Sequence, residues 1–385
     1  MGEVIIEKMK LNKKFKINID VKTYMMIIAL IGIWGIFTFA TGGSFLSPRN
    51  ISNLFRQSVF TSVLAIGMVL VIIMGEIDLS VGSLVGLAGG IVAICDVWLE
   101  LNPVLSILIT LLVGALLGLW NGWWVAYKRV PSFIVTLGGY LIFRGVLVGI
   151  TNGTTIGPMS NTFRYLGKGY VSPFVGLAIS LVVAIYLVYY QRKTRKKKLA
   201  YGFDVLPAKF EFAKKALTIL GIVIFVFVMN AYRGISVSIL LLLFLAAIFF
   251  YITKNTVFGR HIYAIGGNEE AAQLSGIKIK KTMLMVFLLN GLLAAIGGIL
   301  LTSRLNAASV AAGNMAELDA IASCVIGGAS LSGGVGSVIG AIIGAVVMAS
   351  LDNGMSLLNT PMFWQSIVKG LVLIAAVWAD VSMKK

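Results

Sequence analysis

PVLSILITLLVGALLGLWNGWWVA, residues 103–126, runs its whole length without an Asp, Glu, Lys or Arg. Wound as an α-helix it is about 36 Å long, enough to cross a hydrocarbon core of about 30 Å. Backbone N–H and C=O groups find no water inside a bilayer, so a span must satisfy them internally, and a helix does so within one segment. Working outward in the same window gives further spans near 24–41, 58–75, 80–95, 131–150, 173–191, 216–233, 235–252, 282–302, 317–331, 335–352 and 363–380. The expected fold is an all-α polytopic membrane protein of about twelve transmembrane segments (10–12). Segments 80–95 and 317–331 are short and rich in Gly, Ala and Ser, which makes them candidate half-helices or re-entrant segments. Only Gly234 separates 216–233 from 235–252.

Composition agrees. Of 385 residues, 58% are hydrophobic and 12% charged, with a mean hydropathy of +0.96. Soluble domains carry about a quarter charged residues, so lipid is the solvent for most of this chain. The net charge of +17 would fit nucleic acid, but its distribution does not. Basic residues fall in short runs between apolar segments: Lys8 to Lys22, Lys128-Arg129, Arg192 to Lys198, Lys209 to Lys215, Lys254 to Lys281, and Lys384-Lys385. None alternates with aromatics as a base-stacking surface would. Most of the 32 basic residues lie in alternate loops, which the positive-inside rule places in the cytoplasm together with both termini. The charged leader before Tyr24 is too long for a cleaved signal peptide. Cys95 and Cys324 sit in apolar contexts as buried thiols, and the sole histidine, His261, in a basic loop, excludes a histidine-rich metal site.

Two stretches repeat a pattern. Glu76-Ile77-Asp78-Leu79 and Glu317-Leu318-Asp319-Ala320 each precede a small-residue apolar segment. Asn121-Gly122 then Pro131-Ser132-Phe133 is matched by Asn353-Gly354 then Pro361-Met362-Phe363. Units 58–150 and 282–380 are therefore expected to be four-helix repeats. The first begins outside and the second inside, an inverted arrangement that transporters use to place a path between repeats. The remaining divisions are a basic N-terminus (1–23), inserted helices (173–252), a cytoplasmic loop (253–281) and a short C-terminus (381–385), with 24–380 forming the membrane domain.

Carboxylates in apolar surroundings need partners or a watery cavity. Glu76, Asp78, Glu317, Asp319 and Asp352 are the candidates, with Asp78 and Asp319 placed to cap the helices that follow. Further path-lining candidates are the amides Asn121, Asn290, Asn306 and Asn353, the hydroxyls Ser80 and Thr136, and the rings Phe133 and Phe363. No nucleophile–base pair accompanies them, so no catalytic residue, metal or cofactor is assigned. Glycines at Gly82, Gly86, Gly89-Gly90 and from Gly327 to Gly344 suit close helix packing. No GxxxxGK[ST] occurs, so any ATP would be hydrolysed by another chain. Between Gly267 and Ile277, Asn268 suits an N-cap, Glu269 and Glu270 a first turn, and Gly276 a helix end. A helix this short needs an external surface to stay folded, and docking to a partner is its expected use.

The run Gly75-Glu76-Ile77-Asp78-Leu79-Ser80-Val81-Gly82-Ser83 resembles the signature of permease subunits of bacterial monosaccharide ABC importers, the ribose, galactose and xylose group. So do 267–277, Ala316-Glu317-Leu318-Asp319-Ala320-Ile321-Ala322, and the end of the chain from Val325-Ile326-Gly327-Gly328 through Asp352-Asn353-Gly354-Met355-Ser356 to Phe363-Trp364-Gln365. Phe143-Arg144-Gly145, Thr151-Asn152-Gly153-Thr154-Thr155 and the extra block 173–233 are closest to the D-xylose branch. The likeness implies a type II-like importer permease in a bacterial inner membrane and a second permease copy, as a homodimer. It also implies cytoplasmic ATPase subunits that use ATP and Mg, and an extracytoplasmic sugar-binding protein. In that family the segment Asn268, Glu269, Glu270, Ala271, Ala272, Ser275 and Gly276 is the coupling helix against the ATPase. Its spacing is also similar to the EAA loop of other importers, but the Leu-Pro expected downstream is absent. An ion-coupled secondary sugar transporter, using the same buried carboxylates, is the alternative.

Overall fold

A computed structural model describes residues 21–203, 205 and 208–382. The expected basic leader lies outside the described residues up to position 20, as do 383–385. No strand occurs among the described residues; two isolated antiparallel bridges, Ile156 with Ala308 and Tyr170 with Ser236, tie loops together.

The first half of the chain holds α1 (Val21–Ala40), α2 (Pro48–Ile73), α3 (Val81–Ala93, extended by a π turn to Trp98), α4 (Pro103–Lys128) and α5 (Ser132–Thr151). Then come the short α6 (Asn161–Lys168), the pair α7 (Pro173–Ala200) and α8 (Ala208–Asn230), and α9 (Val237–Asn255). Two small helices follow, α10 (Val257–Gly267) and α11 (Glu269–Leu274), before α12 (Ile279–Leu305), α13 (Ala316–Ile326), α14 (Val338–Leu357) and α15 (Met362–Ser382). Among the described residues, ten helices are long and apolar enough to cross a membrane.

Local chemistry sets the boundaries. Ser47-Pro48, Asn102-Pro103 and Ser172-Pro173 each pair a capping side chain with a proline at the first helical position, where its missing N–H costs nothing. Because of the first pair, α2 begins ten residues before the expected 58. Segment 80–95 is a continuous helix rather than a half-helix. Segment 317–331 does shorten, to eleven residues, because Met315 in the left-handed region precedes it and Gly328 in the same region follows. His261 lies in α10 rather than in a loop.

The core is α2, α3, α12, α13 and α14, whose apolar residues form one large cluster. Along its long axis α12 packs against α4, α3 and α2, while α2 packs against α14, α13 and α12. The closest pair is α4 with α12. Gly114, Gly118 and Gly122, one turn apart, leave no space for a Cβ against Phe287, Gly291 and Ala295. This is small-residue packing of the kind that lets membrane helices touch through their backbones. Gly82, Gly86 and Gly89 do the same for α3 against the 312–313 turn and α12. By contrast α7 and α15 present most of their surface outward. Both cysteines are free and buried.

Candidate functional site

Three polar features stand out, two within the bundle and one at its end.

The first grows from the turn between α2 and α3. Gly75, with φ +83°, reverses the chain there, a conformation that costs a residue with a Cβ. The irregular 76–80 segment is then held by side chains of α5: Ile77 N–H donates to Ser132 Oγ at 3.2 Å and Leu79 N–H to Thr136 Oγ1 at 3.0 Å. Asp78 is buried. Its Oδ1 accepts from Ser80 N–H at 2.8 Å and Ser80 Oγ at 2.6 Å, and its Oδ2 accepts from Asn290 Nδ2 at 2.8 Å. Asn121 Nδ2 donates to Ser80 Oγ at 2.9 Å. Three donors on one carboxylate compensate much of the cost of burying it. Asp78, Ser80, Asn121, Thr136 and Asn290, singled out separately in the sequence, thus form one network joining α3, α4, α5 and α12. Asp78 braces the turn before α3 but does not cap it, because its partner N–H belongs to Ser80, ahead of the first helical residue.

The second feature lies toward the opposite end of the bundle. Lys369 of α15 places Nζ 3.0 Å from Asp319 Oδ2 and 3.0 Å from Asp352 Oδ1. Asp319 sits inside the first turn of α13 and spends its carboxylate on Lys369, so it is not the cap that the sequence led us to expect; the N-cap, Met315, makes no side-chain bond. Asp319 and Asp352 face a cavity of about 440 Å³ whose other walls are Arg56, Gln57 and Thr61 of α2 and Arg304 of α12. Arg56 donates to Tyr170 and Asn53. Arg304 has no hydrogen-bond or ion-pair partner among the described residues.

The other path candidates are elsewhere. Glu317 is buried with Oε2 pressed against Gly82, where a methyl group would collide with it. Asn353 exchanges two hydrogen bonds with Asn50, at 2.8 and 3.1 Å. Asn306 ends α12 in the left-handed region and accepts from Met159 N–H at 3.3 Å. Phe133 and Phe363 are 52% and 59% exposed on the outside of the chain. Neither ring meets either cluster. Arg56, Arg304 and Lys369 were not singled out in the sequence. A lysine seven residues inside an apolar helix was the available signal, since such a charge needs a partner.

The third feature is the α10–α11 segment, at the same end as the 76–80 turn. Asn268 Oδ1 accepts from Ala271 N–H at 2.8 Å, Gly276 takes φ +79°, and Ala272 alone of the short helix is buried, while Leu274 is 91% exposed. The segment is clamped between two parts of the core. Gly266 lies directly on Ile73 O at the end of α2 and on Gly334, and Gly334 N–H donates to Ile73 O at 2.8 Å. Tyr263 Oη donates to Gly336 O at 2.8 Å, and burial pushes its phenol up from the ordinary value. A cavity of about 1110 Å³ opens between α11 and the α4–α5 loop, with Glu76 on its wall. Burial raises the Glu76 carboxyl, opposed by a hydrogen bond with Ser132, and the neighbouring Glu269 raises it further.

These features have relatives. Residues 50–377 match the family described as branched-chain amino acid transport system, permease component. The xylose transport system permease protein XylH of Haemophilus influenzae is 51% identical over 368 residues, covering 96% of this chain and 98% of that protein. XylH of Escherichia coli K12 is also 51% identical, over 96% and 94% of the two chains. The ribose import permease protein RbsC of Bacillus subtilis is 36% identical over 88% and 86%. No solved structure matches the chain. With this likeness along nearly its whole length, and ten long apolar helices, the chain belongs to the membrane-spanning permease components of transport systems, multi-pass proteins that carry solutes and are not enzymes.

Proposed function

We propose that this chain is the membrane subunit of an ATP-driven, binding-protein-dependent importer of a monosaccharide, D-xylose first among them. The observation that carries the reading is the seat of α10–α11. It rests on the end of α2 and on the loop leading into α14, so a push on α11 reaches both halves of the core at once. ATPase subunits holding ATP and Mg would supply that push, gripping Glu269, Glu270, Ala271, Ser275 and Gly276 while Ala272 anchors the helix inward.

On this reading the chain makes twelve crossings, α13 being a short one, with both termini and α11 on the cytoplasmic side. Helices α2–α5 and α12–α15 are inverted repeats: α12 meets α4 and α3 as α2 meets α14 and α13. The cavity walled by Arg56, Thr61, Arg304, Asp319 and Asp352 receives sugar delivered by an extracytoplasmic binding protein. Its charged groups exchange hydrogen bonds with hydroxyls without enclosing them, which suits a path that must also release. Tilting of the repeats would open the Asp78–Ser80–Asn121–Asn290 network toward the cytoplasm. Two copies, with the outward faces of α5 and α15 between them, complete the path.

The test is uptake of labelled D-xylose by liposomes holding this chain, its ATPase and its binding protein. Uptake that needs ATP on the ATPase side and all three components is expected. Uptake by the chain alone, surviving ATP removal and collapsing with an ionophore, would overturn the reading in favour of ion coupling.

A further inference from the structure

Helix α7 is 28 residues long, about 42 Å, or some 12 Å more than a hydrocarbon core. The excess is all at its C-terminal end. Six of the seven residues 192–198 are Lys or Arg, preceded by Tyr186, Tyr189 and Tyr190. Its apolar part faces outward, with Leu177, Leu181, Val182 and Ile185 all exposed. Where that surface gives way to the basic turns there is a cavity of about 520 Å³, closed on one side by Asn255 at the end of α9. Tyr186, Tyr190, Lys193 and Lys197 line it, one helical face read at steps of three and four residues, with Tyr189 and Lys198 at its edges.

Two details make this more than a basic surface. Arg195 is neutralised by Glu211, which also lies 3.8 Å from Lys215. Lys193, Lys197 and Lys198 pair with no carboxylate among the described residues, and Lys193 Nζ sits over the Tyr189 ring at 5.9 Å. Tyr186 and Tyr190 stack with centroids 6.3 Å apart at the depth where aromatic rings meet headgroups. An occupant must therefore be anionic at one end and apolar at the other, and must reach the cavity from the membrane.

We infer that this cavity binds the headgroup of an acidic phospholipid, its phosphate at Lys193 and Lys197 and its chains along the outward face of α7. The site is independent of what the protein transports. Its test uses the full chain in detergent, with phosphatidylglycerol as probe, phosphatidylcholine as the neutral control, and retained lipid read by native mass spectrometry. The chain should retain phosphatidylglycerol in preference to phosphatidylcholine. Lys193→Gln with Lys197→Gln should weaken that retention about thirty-fold. Arg192→Gln with Lys196→Gln removes the same charge from the same helix outside the cavity and should leave it within a few-fold. Equal loss in the two double variants would reduce the effect to general surface charge and overturn the site. Displacement of the lipid by millimolar inorganic phosphate would overturn the lipid as its occupant, as would equal retention of both lipids.

Discussion

Asp78, just before α3, and Asp319, in the first turn of α13, stand at matching places in the sequence repeat, yet they are buried in opposite ways. Asp78 is closed in by neutral donors, two from Ser80 and one from Asn290, and lines neither the 1110 Å³ nor the 440 Å³ cavity. Asp319 shares a lysine with Asp352, and beside them a cavity remains whose far wall carries two arginines. Hydrogen bonds are short-ranged and draw their helices together. A charge cluster tolerates water and is weakened less by opening. The difference gives each carboxylate a character: Asp78 sealed by amides and hydroxyls, Asp319 held by charge beside a space.

The contrast can be broken first at Lys369. Lys369→Met leaves two carboxylates without the lysine they share, and should cost about 2–4 kcal/mol, less than a fully buried pair because Asp352 is partly exposed. Adding Asp319→Asn and Asp352→Asn should recover most of it, read as thermal unfolding in detergent. If Lys369→Met is neutral, the Asp319–Lys369–Asp352 cluster is not held by charge. Asn290→Ala is the matching cut in the sealed network. Removing one donor from a buried carboxylate should cost about 2 kcal/mol, and a value above that of Lys369→Met would reverse the ranking of the two ends. At the end of the bundle, Asn268→Ala removes the N-terminal side-chain cap of α11 and should cost that turn about 1 kcal/mol. Hydrogen exchange should then quicken at 269–274 and stay unchanged in α12.

The smallest effect concerns pH. The folded protein raises the Glu76 carboxyl above its ordinary value, so it holds that proton more tightly than the unfolded chain does. Stability then falls as pH rises from the ordinary glutamate range through the raised value. Glu76→Gln should flatten that slope and favour the variant at neutral pH. An unchanged slope would place the buried rim of the 1110 Å³ cavity in water.

Much of this was legible in the residues, for local reasons. The α11 turn was readable because a cap, two early acids and a late glycine act within nine positions. Asp78, Ser80, Asn121, Thr136 and Asn290 were readable one by one as polar groups in apolar runs. What joined them was not, because Asn290 meets Asp78 across 212 positions and no periodicity encodes such a pairing. Lys369, Arg56 and Arg304 escaped for the same reason: each is one charge within a helix, and only packing makes Arg56 and Arg304 walls of a cavity and sets Lys369 of α15 against Asp319 and Asp352. Asp319 was misread as a cap because capping looks only to the next turn, while its partner lies fifty residues on. The Gly114-Gly118-Gly122 face was also missed, being hidden inside a run whose hydrophobicity alone was enough to make it a span.

On the function proposed above, α11 is the handle by which a separate motor moves this membrane core. Ser275→Cys, in membranes holding the chain with its ATPase, tests it most directly. That thiol should cross-link to the ATPase subunit and be labelled by a membrane-impermeant reagent from the ATPase side only. Labelling from the opposite face, with no cross-link, would contradict it.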